Sequence, residues 1–316
     1  MVDDILHLVS SNIRKIEIAF HILLFTVFHF FSTILAGNYP IFLCIIKDIN
    51  IKGGISLKFL TSDGVTLAAT SSGDGIPVIF LAGYSGTTYS WAAQNLFFST
   101  AGFHCIHLDK RGHGENTDIL SGLRISRLAK DIQELVYQLG LDQFHLVSHS
   151  LGAGVAFEYL SLFGEDQVKS LTIIDSPPKA INTSYWSLGM YDLTWQTVSE
   201  TVENFSHVTL TKKKIETDLL RSMHQGHYRF NFLKTAPLVE DFLTKDYRDV
   251  LKQVSLPMLY IGGEQSPLFP NAVASYYSQT AKQATSYLIK DAGHLPYAES
   301  PTEVNQLISQ FILDNQ

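Results

Sequence analysis

The chain has 316 residues, of which 46% are hydrophobic and 17% are charged, so it is long enough to bury a large core. Its net charge is -7, and it has no basic stripe that could neutralise phosphates, so nucleic acid is not expected as a partner. Two cysteines, Cys44 and Cys105, are too few for a disulfide framework or a zinc site, and no metal is expected.

The N-terminal part of the chain is unusually apolar. Residues 18–36 read IAFHILLFTVFHFFSTILA, without Asp, Glu, Lys or Arg, and Arg14 and Lys15 stand before them. Nineteen residues of helix are just enough to cross a hydrocarbon core, although His21 and His29 would be costly inside it. Three interpretations stay open: a signal anchor, a helix lying in the membrane interface, and an apolar extension packed on the rest of the protein.

Membrane attachment, which the first two interpretations share, is favoured over an apolar extension packed on the rest of the protein. Residues 16–46 are the segment that would provide it, and residues 1–52 as a whole are predicted to be an extension outside the folded core. The expected location is therefore at a membrane, or the cytoplasm if the extension does not attach to one.

The pattern changes after residue 53. Two strands are predicted at 55–61 and 65–71, joined by the turn signal SDG, and the apolar run IPVIFLAG that follows is typical of a buried parallel strand. Strands and helices then alternate. We predict helices at 91–102, 125–140 and 151–164 and strands at 103–109, 144–148 and 169–175. Such alternation predicts an α/β fold with a doubly wound, mostly parallel sheet.

The alternation stops after residue 175. Residues 177–246 are rich in Trp and Tyr and have apolar positions at helical spacing, so they are predicted to form a helical cap. The run Lys212–Lys214 within them is interpreted as a solvated helix face. The α/β core resumes with strands at 256–263 and 284–290 and helices at 271–281 and 300–314. The predicted domains are therefore a core of residues 53–176 and 247–316 and a cap of residues 177–246.

The stretch HLVSHSLGAGVAFEYL, residues 145–160, places a small polar turn between a strand and a helix. A strand that turns sharply into a helix holds the turn residue in a strained conformation, with small residues needed on both sides of it. Ser148 and Gly152 flank Ser150 in this way, which makes Ser150 the candidate nucleophile. A dinucleotide-binding fingerprint would need a third glycine at the position of Phe157, so no cofactor is predicted.

A serine nucleophile needs a base, and the base needs an acid to hold its tautomer. His294 follows the last predicted strand, at the same sheet edge as Ser150 if all these strands are parallel. Two carboxylates also follow parallel strands. Asp175 ends the strand after the Ser150 helix, and Glu264 follows the penultimate strand, so either is a candidate acid.

With these residues in place, the chain from about residue 55 to the C-terminus resembles an α/β-hydrolase. Within that superfamily it is similar to the microbial branch that holds small carboxylesterases and cofactor-free haloperoxidases. Four motifs carry the resemblance in the right order: FLAGYSGTTYSW, LDKRGHGEN, SHSLG and the terminal AGH. The resemblance implies Ser150 as nucleophile, His294 as base, and the backbone N–H groups of Tyr84 and Leu151 as oxyanion donors.

The chain departs from the family pattern in two places. Ala82-Gly83 stands where His-Gly is usual, so the hydrogen bonds that brace the oxyanion loop must differ. Ser266 stands where the acid of the family is usually found. In relatives without that aspartate the acid can follow the preceding parallel strand, which favours Asp175 over Glu264.

The function that this resemblance implies is a serine hydrolase that cleaves a carboxylic ester or lipid acyl ester through a Ser-His-Asp triad and an acyl-enzyme. The expected partner is a small-molecule ester or acyl lipid. The alternatives left open are perhydrolase or haloperoxidase-like chemistry, thioester cleavage, carbon–carbon bond hydrolysis, and a non-catalytic ligand receptor on the same fold.

Overall fold

The computed structural model describes residues 45–50, 54–225 and 228–316, which fall in one compact unit of the chain. The apolar stretch 18–36, with most of the predicted extension, lies outside the described residues. Within the described ranges, none of the helices combines the length and the apolar character needed to cross a bilayer.

The described strands form a single nine-stranded sheet. In chain order the strands are β1 (Ile45–Asn50), β2 (Gly54–Leu60), β3 (Thr66–Ser72), β4 (Ile76–Leu81), β5 (Phe103–Leu108), β6 (Phe144–His149), β7 (Val168–Ile174), β8 (Met258–Gly263) and β9 (Ala284–Ile289). Across the sheet their order is β1-β2-β3-β5-β4-β6-β7-β8-β9. Strands β1, β2 and β3 pair antiparallel in that order, and β3 pairs antiparallel with β5. Strands β4 to β9 all run parallel to one another. The predicted α/β class with a mostly parallel, doubly wound sheet is confirmed.

Ten α-helices are described with these strands. They are α1 (Ala92–Phe98), α2 (Ile125–Leu139), α3 (Leu151–Phe163), α4 (Val198–Asn204), α5 (Thr217–Met223), α6 (Phe232–Leu243), α7 (Arg248–Gln253), α8 (Ala272–Thr280), α9 (Pro296–Glu299) and α10 (Pro301–Leu313). Two short helices, α7 and α9, were not predicted. Six and four residues are too few to display the repeating apolar pattern by which longer helices are recognised.

Alternate side chains of the central strand β4 enter two separate apolar layers. Ile79 and Leu81 belong to one core cluster, and Val78 and Phe80 belong to the other, with all four almost fully buried. Successive side chains of a strand point to opposite faces, so a strand covered on both faces is apolar throughout. This explains why IPVIFL reads as a continuous apolar run.

Two boundaries differ from the sequence prediction. Residues 45–50, placed in the extension, form β1 and pair with β2, so the sheet begins before residue 53. The segment between β7 and β8 is helical only from Val198 onward, because residues 177–197 form turns and a short bridge between Thr183 and Trp186. Lys212–Lys214 lie in a bend before α5, so their interpretation as a helix face was wrong.

Several buried histidines give the fold a predictable dependence on pH. Burial lowers the pKa of His107 to about 3 and that of His145 to about 4, and it holds the pKa values of His113 and His149 well below the ordinary value. An unfolded histidine titrates near pH 6.5, so between that pH and about 4 the unfolded state binds more protons than the folded state. Stability should therefore be complete above pH 6.5 and fall as the pH is lowered, by up to about 1.4 kcal/mol per pH unit for each such histidine.

Urea unfolding at pH 7.5, 6.0 and 5.0 measures this loss. His145→Gln is the matched variant: His145 Nδ1 lies 2.7 Å from Ser170 Oγ, and glutamine retains a hydrogen-bonding group without titrating. The variant should lose less stability on acidification than the wild type. A free energy of unfolding that is flat from pH 7.5 to pH 5.0 would contradict the argument.

Candidate active site

Ser150 stands at the junction of β6 and α3 in a strained backbone conformation. Its φ is 52° and its ψ is -121°, in a region that side-chain-bearing residues rarely adopt. Hydrogen bonds on both sides stabilise this conformation. The Ser150 N–H donates to the Ile174 carbonyl at 3.1 Å, and the Ser150 carbonyl accepts from the Ala153 N–H at 2.8 Å. The turn therefore presents the Ser150 side chain at the end of the parallel strands.

The residues around Ser150 must be small because the backbones of β4 and α3 approach each other closely there. A Cβ on Gly152 would lie 2.2 Å from the Leu81 carbonyl oxygen, so only glycine fits there without moving β4 or α3. Ser148 takes the position where glycine is usual, and its hydroxyl donates to the Thr172 carbonyl at 2.9 Å. The extra hydroxyl is thus satisfied inside the sheet and takes no part in the site.

His294 and Asp175 meet at this edge of the sheet. His294 Nδ1 donates to Asp175 Oδ2 at 2.6 Å, and both side chains are almost completely buried. Because Nδ1 is engaged by the carboxylate, Nε2 is the nitrogen of His294 left for proton transfer. Ser150 and His294 line the same cavity.

Asp175 is itself firmly held. Its φ is 46°, and its N–H donates to the Ile261 carbonyl at 2.8 Å. Its Oδ1 accepts from Gly263 N–H at 3.1 Å, and its Oδ2 accepts from the Ser266 hydroxyl at 2.6 Å in addition to His294. Ser266, at the usual position of the family acid, therefore donates to the acid that lies after the neighbouring strand.

Glu264, the alternative acid, is directed elsewhere. It is exposed, and its Oε2 accepts from the Asp291 N–H at 3.0 Å. That contact stabilises the turn after β9. The structure thus brings Asp175 to His294 and leaves Glu264 on the surface.

Of the two predicted oxyanion donors, Tyr84 lines the cavity, and Leu151 directly follows Ser150, which also lines it. Within the described part of the chain, neither the Tyr84 nor the Leu151 amide donates to a protein acceptor. Leu151 is the first residue of α3, so its N–H belongs to the positive end of the helix. Gly83 brings the Tyr84 loop close, since a Cβ at Gly83 would lie 3.1 Å from the Ser150 Cβ. Two free donors beside a buried serine are what a developing oxyanion requires.

His113 supplies the brace that the missing family histidine would have given to the oxyanion loop. Its Nδ1–H donates to the Arg111 carbonyl at 2.9 Å, and its Nε2 accepts from the Ser85 N–H at 3.2 Å. Burial, reinforced by the charge of Lys110, lowers the pKa of His113 well below its usual value, so the accepting nitrogen stays unprotonated. Lys110 Nζ also donates to the Gly86 carbonyl at 3.0 Å.

His149 holds the other side of the site. Its Nε2–H donates to the His294 carbonyl at 2.9 Å, and the two imidazole rings lie 4.6 Å apart between centroids. Burial, followed by the proximity of His294, lowers the pKa of His149 well below its usual value, so it remains neutral beside the base. His149 thus fixes the backbone of the histidine loop.

The cavity over Ser150 has a volume of about 720 Å³, within the range of small-molecule sites. Segments between β7 and β8 give it an apolar wall made of Phe205, Leu210, Ile215, Leu220 and Met223. Polar side chains also line it: Ser85, Thr87, Ser90, His224, Gln225, Tyr228 and Arg229. Across residues 45–50, 54–225 and 228–316, no group of three or more His, Cys, Asp or Glu side chains is placed to hold a metal ion.

Three aromatic residues of the predicted cap pack on other aromatic side chains and are not among the residues that line the cavity. Phe230 and Phe232 stack edge-to-face on the Tyr84 ring, at centroid distances of 5.0 and 5.8 Å. Trp186 packs on Tyr276 at 4.9 Å. These side chains stabilise the segment over the sheet, whereas aliphatic residues and Phe205 form most of the apolar wall.

Sequence reasoning missed the supporting roles of His113, His149 and Ser266. His113 lies in the LDKRGHGEN motif, but nothing in one sequence indicates that its ring reaches residue 85. Ser266 carried the clearer signal, because a serine at the usual acid position is suited to hydrogen-bond a relocated carboxylate.

Comparison with known proteins places the chain in a family. Residues 76–301 match the family model described as the alpha/beta hydrolase fold. The chain belongs to the α/β-hydrolase family.

Individual relatives are distant but cover most of the domain. The chain is 25% identical over 231 residues to a non-heme chloroperoxidase of Kitasatospora aureofaciens, covering 66% of this chain and 81% of that protein. It is also 25% identical over 232 residues to a bifunctional esterase/perhydrolase of Acinetobacter calcoaceticus, covering 66% and 82% respectively. Among solved structures, an esterase from Exiguobacterium antarcticum superposes with a TM-score of 0.72 at 21% identity, covering 80% of this chain and 98% of that one.

Proposed function

We propose that this protein is a serine hydrolase that cleaves carboxylic esters with an apolar group through an acyl-enzyme. The observation that carries the proposal is the arrangement of groups at one cavity. Ser150, strained in its backbone, and His294, buried and bonded to Asp175, both line the cavity. Beside Ser150 lie the amides of Tyr84 and Leu151, neither of which has an acceptor among the described residues. Membership of a hydrolase family supports the reaction class. The apolar wall supports an acyl or alcohol group of aliphatic character.

In the proposed mechanism His294 Nε2 takes the proton of Ser150 Oγ as that oxygen attacks the ester carbonyl carbon. The carbonyl oxygen becomes an oxyanion and accepts from the amides of Tyr84 and Leu151. The protonated His294, stabilised by Asp175, then gives its proton to the departing alkoxide, which leaves as the alcohol. Water attacks the acyl-enzyme with His294 again as base, and the carboxylic acid and free Ser150 are regenerated.

Labelling with a fluorophosphonate tests this proposal. The folded wild type should be modified at one site, mapped by mass spectrometry to Ser150, and Ser150→Ala should remain unlabelled. On a panel of 4-nitrophenyl esters, turnover should rise with the length of the acyl chain as that chain makes more contact with the apolar wall of the cavity. Folded protein that neither labels nor hydrolyses any ester would favour a non-catalytic receptor on the same fold.

A second candidate is perhydrolysis at the same serine, favoured by the relatives named for esterase/perhydrolase and chloroperoxidase activity. Hydrogen peroxide in place of water would attack the acyl-enzyme and release a peracid. Peracid formation from an ester and hydrogen peroxide, measured beside hydrolysis of the same ester, separates the two activities. Loss of both in Ser150→Ala would place them at one site.

For the segment before β1 we propose membrane attachment, which the sequence predicted through residues 16–46, and the uncharged stretch 18–36 supports it. Because Ile45–Asn50 pair with β2, the test should delete residues 1–41 and leave the strand intact. The full chain should sediment with liposomes and the shortened chain should stay in the supernatant. Equal sedimentation of the two would count against attachment by this segment.

A further inference from the structure

Glu299, at the C-terminal end of α9, has an unusual set of backbone partners. Its carboxylate is largely buried and accepts hydrogen bonds from four amides in two separate segments of the chain. Oε2 accepts from Lys212 N–H at 2.8 Å and from Lys213 N–H at 2.7 Å, both in the segment between β7 and β8. Oε2 also accepts from Gly293 N–H at 2.9 Å, and Oε1 accepts from Leu295 N–H at 3.2 Å. The last two amides flank His294.

The same two segments touch at the level of the backbone. His294 N–H donates to the Leu210 carbonyl at 2.7 Å. A Cβ at Gly293 would lie 2.5 Å from that carbonyl oxygen and 2.9 Å from the Lys212 nitrogen, so glycine is required for this approach. The histidine loop and residues 210–213 therefore form one hydrogen-bonded unit, with the Glu299 carboxylate at its centre.

This unit connects the substrate cavity to the proposed base. Leu210 and Thr211 line the cavity, and so does Ile215 a few residues later. The position of that wall and the position of the His294 backbone are thus set by the same carboxylate. A cap that swung open at this edge would have to break two charge-assisted hydrogen bonds to Glu299 as well as the bond between Leu210 and His294.

We propose that Glu299 is a positioning residue that holds this wall of the cavity to the histidine loop and thereby sets His294 relative to Ser150. The inference rests on the proposed function, in which His294 is the base. It explains why Lys212–Lys214 lie in a bend: this stretch presents its first two amides to a buried anion, while Lys212 and Lys214 are exposed. A carboxylate that accepts from several amides is a strong anchor because each of those hydrogen bonds involves a charge.

Glu299→Gln is the variant that tests this role. Its amide has one accepting oxygen, and its NH2 group would face N–H donors at the other position. These donors are the Lys212 and Lys213 amides if the oxygen replaces Oε1, and the Leu295 amide if it replaces Oε2, so the hydrogen-bonded unit must shift in either case. We expect kcat per folded molecule to fall on the order of 10- to 100-fold, because a displaced base costs rate even when substrate still binds. Amide hydrogen exchange should accelerate together in residues 210–213 and 293–295.

Glu165→Gln is the matched control. Glu165 Oε2 likewise accepts from two backbone amides, those of Ser255 and Leu256, at 2.7 and 3.3 Å, and none of these residues lines the cavity. This variant should keep its kcat whatever it loses in thermal stability. Glu299→Asp, which keeps both accepting oxygens on a shorter side chain, should recover part of the kcat and serves if Glu299→Gln does not fold.

The two readouts separate the inference from the proposed function. If the wild type hydrolyses no ester, the exchange measurement still tests the connection between the two segments. If the wild type is active and both Glu299 variants retain full kcat per folded molecule, the positioning role is wrong. Faster exchange in only one of the two segments would also overturn the inference.

Discussion

Asp175→Asn should reduce kcat by about 10⁴-fold, whereas Glu264→Gln should leave it within about two-fold of the wild type. The asparagine side chain occupies the same space, but it can present an N–H to His294 Nδ1 and so favour the tautomer with the proton on Nε2. That tautomer cannot accept the proton of Ser150. The loss arises in the chemical step, so it should appear in kcat, with little change in KM.

The two carboxylates make this comparison a matched one. Asp175 Oδ2 lies 2.6 Å from His294 Nδ1, whereas Glu264 is exposed and accepts from the Asp291 N–H. Turnover of a 4-nitrophenyl ester under saturating conditions gives kcat for each variant, and circular dichroism confirms that each is folded. The assignment of the acid fails if Asp175→Asn keeps wild-type turnover while Glu264→Gln loses it.

Much of this site could be anticipated from local sequence. The turn at Ser150 can be predicted because a strand, a helix and small residues at 148 and 152 are recognisable within one short segment. His294 and Asp175 could be placed at the same edge because parallel strands end together there. The pairing of β7 with β8 and of β8 with β9 leaves one strand between them, and the loops after β7 and β9 bring the two side chains to 2.6 Å.

Other parts of the site depend on contacts between distant segments, which no local pattern encodes. The hydrogen bond of His113 to the Ser85 amide and the bonds of Glu299 to Lys212 and Lys213 each join chain segments at least 28 residues apart. The turns at residues 177–197 also depend on contacts with distant segments. The aromatic content of this stretch suggested part of a helical cap, but aromatic side chains also pack well in turns when a neighbouring helix supplies a partner.

Gly152→Ala should lower kcat/KM by more than about 100-fold and destabilise the fold by about 3 kcal/mol. The added methyl group would lie 2.2 Å from the Leu81 carbonyl oxygen, and a backbone carbonyl inside the sheet cannot move aside as a side chain can. Either α3 or the end of β4 must shift. Both shifts displace oxyanion donors, since Leu151 begins α3 and Tyr84 follows β4 by a few residues.

Gly154→Ala is the control for this prediction. It adds the same methyl group to the same helix, but there the nearest atom, at 2.7 Å, belongs to the Phe242 ring. A ring on the neighbouring helix can turn or shift, and alanine is intrinsically better than glycine inside a helix by about 1 kcal/mol. We therefore expect Gly154→Ala to keep most of its activity and to change the free energy of unfolding by less than half as much.

Urea unfolding and ester turnover, measured on both glycine variants, separate two causes of loss. If the two substitutions lower the free energy of unfolding and the ester turnover equally, crowding anywhere in α3 would explain the losses. The close approach of the Leu81 carbonyl to Gly152 would then have no special role. A large loss confined to Gly152→Ala would instead mean that the contact between β4 and α3 sets the distance between the oxyanion donors and Ser150. The same contact would then account for the glycine two residues after the proposed nucleophile.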